Sequence, residues 1–311
     1  MKRQRGIALI TAILVVSIAS IAATAVLLSA HGAVRRSANL FESEAAWWYA
    51  QGLESWGISI LQRDGQETEI DALNEAWAQP VEALPVDQGL VRGSITDLQG
   101  RYNINNLVSN EAEAWRLIFQ RLLGCLEGVD SFASEGLAQA ITDWLDPDDQ
   151  QTFPGGAEDL TYMNLQPPYR AANQRVTSIS ELQAVQSMTA EIYAALRPHI
   201  TALPIEQGPT QINLNTASLP LLCALSQDGL SPALQTFEEE RLELPLETLE
   251  QVNERKLFSS DFEPQRATLS SQYFLINGEA FIGTGRVSLY SVIARQAGQP
   301  PIVLVHRLDT D

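Results

Sequence analysis

The chain has 311 residues, with 38 acidic and 20 basic side chains and a formal net charge of −18. A surface this acidic argues against nucleic acid and anionic lipid headgroups as partners, because both would be repelled. The length allows two domains, or one domain that is interrupted by a large insertion.

The N-terminus is a short basic leader followed by a long apolar run. Residues 1–6 carry three bases and end in Gly6, and no residue from 7 to 34 is formally charged. A helix of about 20 apolar residues spans the ~30 Å hydrocarbon core of a bilayer, and bases in front of it favour a cytoplasmic N-terminus. We therefore predict one membrane-spanning helix.

Three interpretations of this N-terminus are open. A secretory signal peptide has a shorter apolar region and would be cut at an A-x-A-like site such as Ala23-Thr24-Ala25. A plain signal anchor fits the length of the run but gives no role to Gly6. A prepilin leader would be cut by a cytoplasmic peptidase between Gly6 and Ile7, which leaves the whole apolar helix in the mature protein. The length of the run and the position of the glycine favour the third.

Behind the apolar run the helix is predicted to continue to about Arg63, and Asp64 and Gly65 end it. Small, apolar and aromatic residues recur every three or four positions, which would place them on one face against a folded domain. That face consists of Ala38, Phe41, Ala45, Trp48, Gly52, Trp56 and Ile60. Residues 66–88, which include two prolines, are predicted to be loop.

The middle of the chain changes from strand to helix. Leu90 to Asp97 alternates between the two faces of a half-buried strand. Helices are predicted around Trp115–Leu123, at Phe132–Leu145, at Ser178–Leu196, from Asn215, near 233–242 and near 245–253. Residues 146–177 form a long acidic loop, which is unusual inside a compact domain unless the loop is functional or held by an ion.

The C-terminus returns to strand, at Gln272–Ile282, Arg286–Arg295 and Ile302–Arg307, with hairpin-like loops between these segments. Together with the strand near residue 91, they predict an α+β fold. In this fold an all-helical insertion interrupts a small antiparallel sheet.

Two cysteines, Cys125 and Cys223, both lie in apolar helical segments. Two cysteines are too few for a disulfide framework, and such contexts are typical of buried thiols that behave as small hydrophobes. We predict two separately buried thiols, although the sequence leaves open whether they pair.

Five segments resemble the K-type minor pseudopilins of type II secretion systems, and they follow the order of that family. The segments are Asp97–Leu107, Thr142–Asp148, Gly156–Asp159, Pro168–Asn173 and Ile212–Ser218. The resemblance implies a pseudopilin fold, with a long N-terminal helix, a four-stranded antiparallel sheet and a large helical insertion.

The predicted elements and this resemblance divide the chain into five parts. These are a prepilin leader (1–6), a transmembrane part of the N-terminal helix (7–34), the first part of the pseudopilin domain (35–108), the helical insertion (109–268) and the C-terminal strands (269–311). The insertion is divided into a first subdomain with the acidic loop (109–208) and a second (209–268).

Carboxylates are concentrated between Asp143 and Asp159, with no base among them. They repel one another unless solvent or a cation separates them, and oxygen ligands suit Ca²⁺. The loop fails the EF-hand pattern, so its spacing supports a solvated loop about as well as a metal site. The family resemblance implies calcium. The favoured ligands are Asp146, Asp148, Glu158 and Asp159, and Asp143 and Asp149 are weaker candidates.

Thr11 would be the fifth residue of the mature chain, where the resemblance to pilins implies a glutamate in most members. That glutamate is thought to neutralise the free amine of a neighbouring subunit inside the membrane, where a buried unpaired charge is costly. A threonine cannot do this. This subunit therefore need not pair with one already inserted, which suits it to enter the filament first.

The resemblance implies a protein at the tip of the periplasmic pseudopilus, where it initiates or caps the filament. It implies I- and J-type minor pseudopilins, the major pseudopilin, the inner-membrane assembly platform and a prepilin peptidase as partners, with methylation of the new N-terminus. The protein would be a single-pass inner-membrane protein whose C-terminal domain lies in the periplasm.

No catalytic motif is found, so we expect no enzyme. Residues 212–217 also resemble a helix-hairpin-helix module, but residues 209–268 carry ten acids and four bases, which would repel DNA. The alternative interpretation is a signal-anchored periplasmic binding protein that belongs to no filament.

Overall fold

A single helix of 64 residues, α1 (Gln4–Glu67), begins the fold. The computed structural model describes residues 4–129, 131–259, 262–296 and 298–308. At ~1.5 Å per residue α1 is about 96 Å long, and it contains no proline that would break it. It passes the predicted end at Gly65, because Arg295 holds its last turn by donating to Asp64 Oδ2 at 2.9 Å.

The remaining elements form first two strands of the main sheet, then the insertion, then three more strands of the sheet. The strands are β1 (Val81–Val86), β2 (Gly89–Asp97), β3 (Tyr102–Asn103), β4 (Ile200–Thr201), β5 (Ile212–Asn213), β6 (Ala267–Thr268), β7 (Tyr273–Ile282), β8 (Gly285–Ala294) and β9 (Ile302–Leu308). The other α-helices are α2 (Ala112–Cys125), α3 (Ser131–Leu145), α4 (Asp159–Met163), α5 (Ala190–Leu196), α6 (Leu219–Leu225), α7 (Pro232–Glu240) and α8 (Glu250–Glu254). Short 3-10 turns cover Ala76–Ala78, Ile104–Val108, Ile179–Ala184, Arg197–His199 and Pro264–Arg266.

The main sheet is antiparallel, with the strand order β1-β2-β7-β8-β9. The fold is therefore α+β, as the sequence predicts. The sheet has five strands where four were expected, because β1 lies inside the segment predicted to be loop. Its Pro85 is compatible with this position, since a proline is tolerated in an edge strand, where one side of the backbone has no partner.

The outer half of α1 packs on one face of this sheet. Its buried hydrophobic residues are Ala46, Ala50, Leu53 and Leu61, and they contact apolar residues of β2, β7 and β8. Gly57 permits a close approach, because a Cβ there would lie 2.8 Å from Ile276 Cδ1.

The predicted packing face of α1 was wrong in phase. Phe41, Trp48 and Trp56 were expected to face the folded domain, but they are 70, 64 and 46% exposed. Of the predicted face, Ala45 and Ile60 do pack against these cores, half-buried. The more deeply buried contacts come from Ala46, Ala50, Leu53 and Leu61, which lie on a neighbouring face of the helix. The aromatic residues are therefore left on the outer surface of the helix.

The insertion leaves the sheet at the end of β2 and returns at the start of β7. It is helical apart from two short parallel ladders, β3 with β4 and β5 with β6. One hydrophobic core extends from Tyr102 to Leu269, so the two predicted subdomains share a continuous interior.

Two predicted helices of the insertion are shorter than expected. The Ser178–Leu196 segment is divided into the 3-10 turn Ile179–Ala184 and helix α5. Ser178 caps the turn in a capping box with Glu181, and Thr189 caps α5. The last predicted helix covers only α8.

The prediction of two separate thiols was wrong. Cys125 at the end of α2 and Cys223 in α6 form a disulfide with an S–S distance of 2.08 Å. Helices α2 and α6 pack against each other, which brings together cysteines that are 98 positions apart in the sequence. Cys223 is buried and Cys125 is half-buried, and local apolar context carries no information about which helix each cysteine faces.

Buried asparagines hold the insertion together and join it to the end of the sheet. Asn103 and Asn105 both donate to Leu203 O, at 3.1 and 2.9 Å. Asn213 Nδ2 donates to Asp71 O, to Asp97 Oδ2 and to Ser271 Oγ at 2.9–3.0 Å. The family-like segments around these residues therefore have a structural role, since each amide satisfies backbone groups that would otherwise be buried without partners.

Candidate functional site

The acidic loop brings three carboxylates together at the end of α3. Asp146 follows that helix, Asp148 lies in the loop, and Glu158 directly precedes α4. One carboxylate oxygen from each lies within 4.8 Å of the others. Three of the four favoured ligands therefore converge, with a spacing that could accommodate one cation.

Three of the six carboxylate oxygens of this cluster are buried without a partner, whereas Asp148 is exposed. Glu158 is 6% exposed, and neither of its carboxylate oxygens has a hydrogen-bond partner among the described residues. The same holds for Asp146 Oδ1. Burial, and then the neighbouring carboxylates, raise the pKa of Asp146 to about 6 and that of Glu158 to about 7. Buried carboxylates that face one another in this way differ from a solvated acidic surface.

Arg116 is a basic residue whose charge acts on this cluster. It lowers the pKa of Asp146, but burial and Asp148 outweigh it. Within the described ranges no ion pair joins Arg116 to these acids. The protein's own side chains therefore leave much of the negative charge uncompensated.

Asp143, one of the weaker candidates, supports the loop and is not part of the three-carboxylate cluster. It is fully buried, its two oxygens accept from Thr152 N at 3.2 and 3.1 Å, and burial raises its pKa. A Cβ at Gly156 would lie 2.2 Å from Asp143 Oδ2. The glycine is required here because the loop backbone closes directly over this carboxylate.

Asp159 also lies apart from the cluster, although it was a favoured ligand. Its Oδ1 accepts from Ala171 N at 3.1 Å, and its Oδ2 lies 3.5 Å from Arg170 Nη1. These contacts close the far end of the loop. Asp149, the other weaker candidate, is exposed and outside the converging set.

Asn173 is a residue of this site that the sequence reasoning missed. Its Nδ2 donates to Asp148 O at 3.1 Å, and its Oδ1 is buried without a partner among the described residues. The residue lies in a segment that resembles the family, Pro168–Asn173, which was the available signal. An amide oxygen is a suitable ligand for Ca²⁺.

A second acidic cluster provides a contrast. Asp64, Asp71 and Glu75 also converge, but Arg295 lies among them. It donates to Asp64 Oδ2 at 2.9 Å and to Asp71 Oδ1 at 2.6 Å. Glu75 Oε2 accepts from Trp77 Nε1 at 2.9 Å. This cluster contains its own cation and fixes the end of α1, so it needs no metal.

The N-terminal candidates lie at the start of α1. Gly6 and Ile7 are in the helix, and residues 1–3 of the leader lie outside the described residues. Thr11 Oγ1 donates to Ala8 O at 3.0 Å, within its own helix. The apolar part of α1 has a mean hydropathy of 2.5 over an 18-residue window in which no residue is buried. By length and composition it is able to cross a membrane.

Comparison with known proteins assigns the family. Residues 100–205, which contain the whole acidic loop, match the family model described as type II secretion system (T2SS), protein K. The type II secretion system protein K of Pseudomonas aeruginosa is 38% identical over 71% of this chain and 68% of that protein. The protein of the same name from Aeromonas hydrophila is 31% identical over 99% of this chain and 98% of that protein.

The chain belongs to the type II secretion system protein K family. A solved structure agrees with this assignment. A chain of the GspK–GspI–GspJ complex from enterotoxigenic Escherichia coli has a TM-score of 0.74 and 26% identity to this protein. The match covers 89% of this chain and all of that chain. The protein K family is therefore recognised both in the insertion and in the whole fold, and this member is a minor pseudopilin of type II secretion.

Proposed function

We propose that this protein forms the tip of the periplasmic pseudopilus, where it initiates and caps the filament. The observation that carries this proposal is the position of the insertion. The Gly283-Thr284 turn of the sheet contacts Glu42, and the opposite end, with Phe274 and Ile293, packs on Leu61. These contacts lie 19 residues apart on α1, or roughly 28 Å.

The chain leaves the sheet for the insertion, and returns from it, at the end of the sheet that packs on Leu61, beside the C-terminus of α1. If the N-terminal end of α1 lies in the membrane, the insertion lies at the end furthest from it. A globular layer there would occupy the space that a subunit above would need. The free apolar face of α1, with Phe41, Trp48 and Trp56, is available to neighbouring helices below.

Thr11 supports the same position in the filament. Its hydroxyl is bonded inside α1 and offers no negative charge to the amine of another subunit. The first subunit inserted has no earlier subunit to pair with, so it loses nothing by the absence of an acid. Overproduction of this protein alone with prepilin peptidase should therefore give no filaments, whereas the major pseudopilin should form them under the same conditions.

We further propose I- and J-type minor pseudopilins as partners, on the basis of the similarity to a chain of the GspK–GspI–GspJ complex. The major pseudopilin and the inner-membrane assembly platform are the remaining partners. Prepilin peptidase would cut after Gly6 and methylate Ile7. The protein would then be held in the bacterial inner membrane by α1, with the rest in the periplasm. We assign it no catalytic role, in keeping with a structural component.

For the acidic loop we propose a bound Ca²⁺. Asp146, Asp148 and Glu158 would hold the ion, with Asn173 Oδ1 beside them. Asp143 and Asp159 would fix the loop around it. The ion would supply the positive charge that the buried carboxylates lack, so its role would be to stabilise residues 146–177. The support for this is the set of unpartnered buried oxygens described above.

A further inference from the structure

The face of the sheet turned away from α1 is covered only in part by the insertion. A cavity of about 370 Å³ lies between the two. The sheet contributes Leu275, Tyr290, Val292 and Leu304, and the insertion contributes Val176, Ile179, Leu203 and Pro204. Clefts of this size with mostly apolar walls are typical of binding sites.

The cavity is basic, although the protein as a whole is strongly acidic. Three arginines line it, Arg101, Arg175 and Arg307, and the acid among its lining residues is Glu206. Arg175 Nη1 pairs with Glu206 Oε1 at 3.1 Å, and Arg307 donates to Thr177 O. A guanidinium has five N–H donors, so these arginines can keep such contacts and still bind a carboxylate.

Strand β9 forms one rim of the cavity and is an edge of the main sheet. Among the described strands it pairs with β8 alone. Its apolar residues are unusually exposed, with Ile302 at 55%, Leu304 at 40% and Leu308 at 54%. Sheet edges with such side chains invite pairing with another chain, and soluble proteins normally protect them.

We propose that this cleft docks an extended segment of a partner protein by adding a strand to β9. In strand addition, main-chain hydrogen bonds provide affinity and pockets for alternate side chains provide specificity. The segment would place an apolar side chain in the cavity and a carboxylate beside Arg307. Because alternate residues of a strand share a face, these two side chains would be two positions apart. The cleft includes the last three residues of the acidic loop, 175–177, but none of the three clustered carboxylates. The proposal does not depend on the tip assignment.

The test uses the full chain in detergent and a labelled synthetic hexapeptide with blocked ends. Threonine occupies every second position of the peptide, and two leucines and one glutamate occupy the other three. The leucines and the glutamate therefore share one face of the extended peptide. Fluorescence anisotropy should show saturable binding. Arg307→Gln should weaken it about tenfold or more, as expected for a charge-assisted contact. A peptide with glutamine in place of glutamate should bind the wild type more weakly by the same factor. Its affinity for the Arg307→Gln variant should be no lower than its affinity for the wild type. Arg286→Gln, an exposed arginine of β8 outside the cleft, should bind normally.

The apolar contact has a matched control at the other edge of the sheet. Leu304→Ala should weaken binding, whereas Leu84→Ala in β1, where the leucine is 43% exposed, should not. If Arg307→Gln lowers the melting temperature by losing its contact with Thr177, the two peptides on wild-type protein still decide the question.

Several results would overturn the proposal. The first is that the peptide shows no saturable binding. The second is that the control variants Arg286→Gln and Leu84→Ala weaken binding as much as the cleft variants do, or that the glutamine peptide binds as well as the glutamate peptide. The third is that decanoate displaces the peptide and itself depends on Arg307 for binding. Self-association that Leu304→Ala abolishes would instead make this face a contact between copies of the chain.

Discussion

Replacing Glu158 by glutamine should stabilise the protein without calcium and make its stability insensitive to calcium. Burial and the neighbouring carboxylates raise the pKa of Glu158 from 4.5 to about 7. A carboxyl group with a raised pKa stabilises the fold when protonated, and this contribution is lost as pH rises from 4.5 to about 7. A shift of this size corresponds to ~3 kcal/mol of unfolding free energy above pH 7. Glutamine keeps the shape of the side chain and cannot acquire the charge.

Calcium would offset this cost only in the wild type. An ion that binds the folded state alone adds ~2.7 kcal/mol at a hundredfold excess over Kd and ~4.1 kcal/mol at a thousandfold excess. The wild type should therefore be less stable than Glu158→Gln in chelator. The two proteins should become equally stable at a calcium concentration between a hundredfold and a thousandfold excess over Kd. Above that range the wild type should be the more stable.

The assay is thermal unfolding of both full-length proteins in detergent, in chelator and in a calcium series at about pH 8. In chelator Glu158→Gln should melt several degrees higher, and the difference should nearly close at about pH 4.5. Asp149→Asn, in the same loop but outside the carboxylate cluster, should follow the wild type throughout. A wild-type melting curve that neither calcium nor chelator moves would refute the cation site. A Glu158→Gln variant that is equally destabilised in both conditions would show a purely structural role.

Three further predictions concern processing and folding. N-terminal sequencing of protein extracted from membranes should begin at Ile7, with a methylated amine, and a start at Val26 would instead indicate an ordinary signal peptidase. Replacing Cys125 and Cys223 by serine should cost ~2–5 kcal/mol of stability, because the disulfide closes a loop of 98 positions, and an unchanged denaturation midpoint would contradict this. Asn213→Ala should cost ~1–3 kcal/mol in the same denaturation assay, because Asp71 O loses its side-chain donor and Asp97 Oδ2 and Ser271 Oγ each lose one hydrogen bond, and a loss below ~0.5 kcal/mol would refute that role.

Local patterns predicted most of the regular structure. The alternation from Leu90 to Asp97 and the β-branched C-terminal segments predicted the strands β2, β7, β8 and β9. Burial on one face explains the pattern of β7, whereas β9 is an exposed edge strand that its β-branched composition alone indicated. Strand β1 was missed because a proline-bearing edge strand has the composition of a loop. The burial phase of α1 was wrong because several of its faces are apolar, and only the sheet decides which one is covered.

The candidate site could be predicted only in part. The concentration of acids in residues 146–159 marked the loop, and the resemblance implied the ion. Sequence spacing could not separate Glu158, which faces the cluster, from Asp159, which pairs with Arg170. Adjacent residues point in different directions, and the loop backbone decides which one faces inward. The disulfide and Asn173 depend on contacts between distant segments, which local patterns do not encode.

The position of the protein along the filament tests the tip assignment most directly. Pseudopili assembled with all their subunits can be labelled through an epitope on this protein and imaged by electron microscopy. An insertion at the membrane-distal end of the subunit predicts single labels at one end of each filament. Labels at regular intervals along the shaft would contradict the tip assignment.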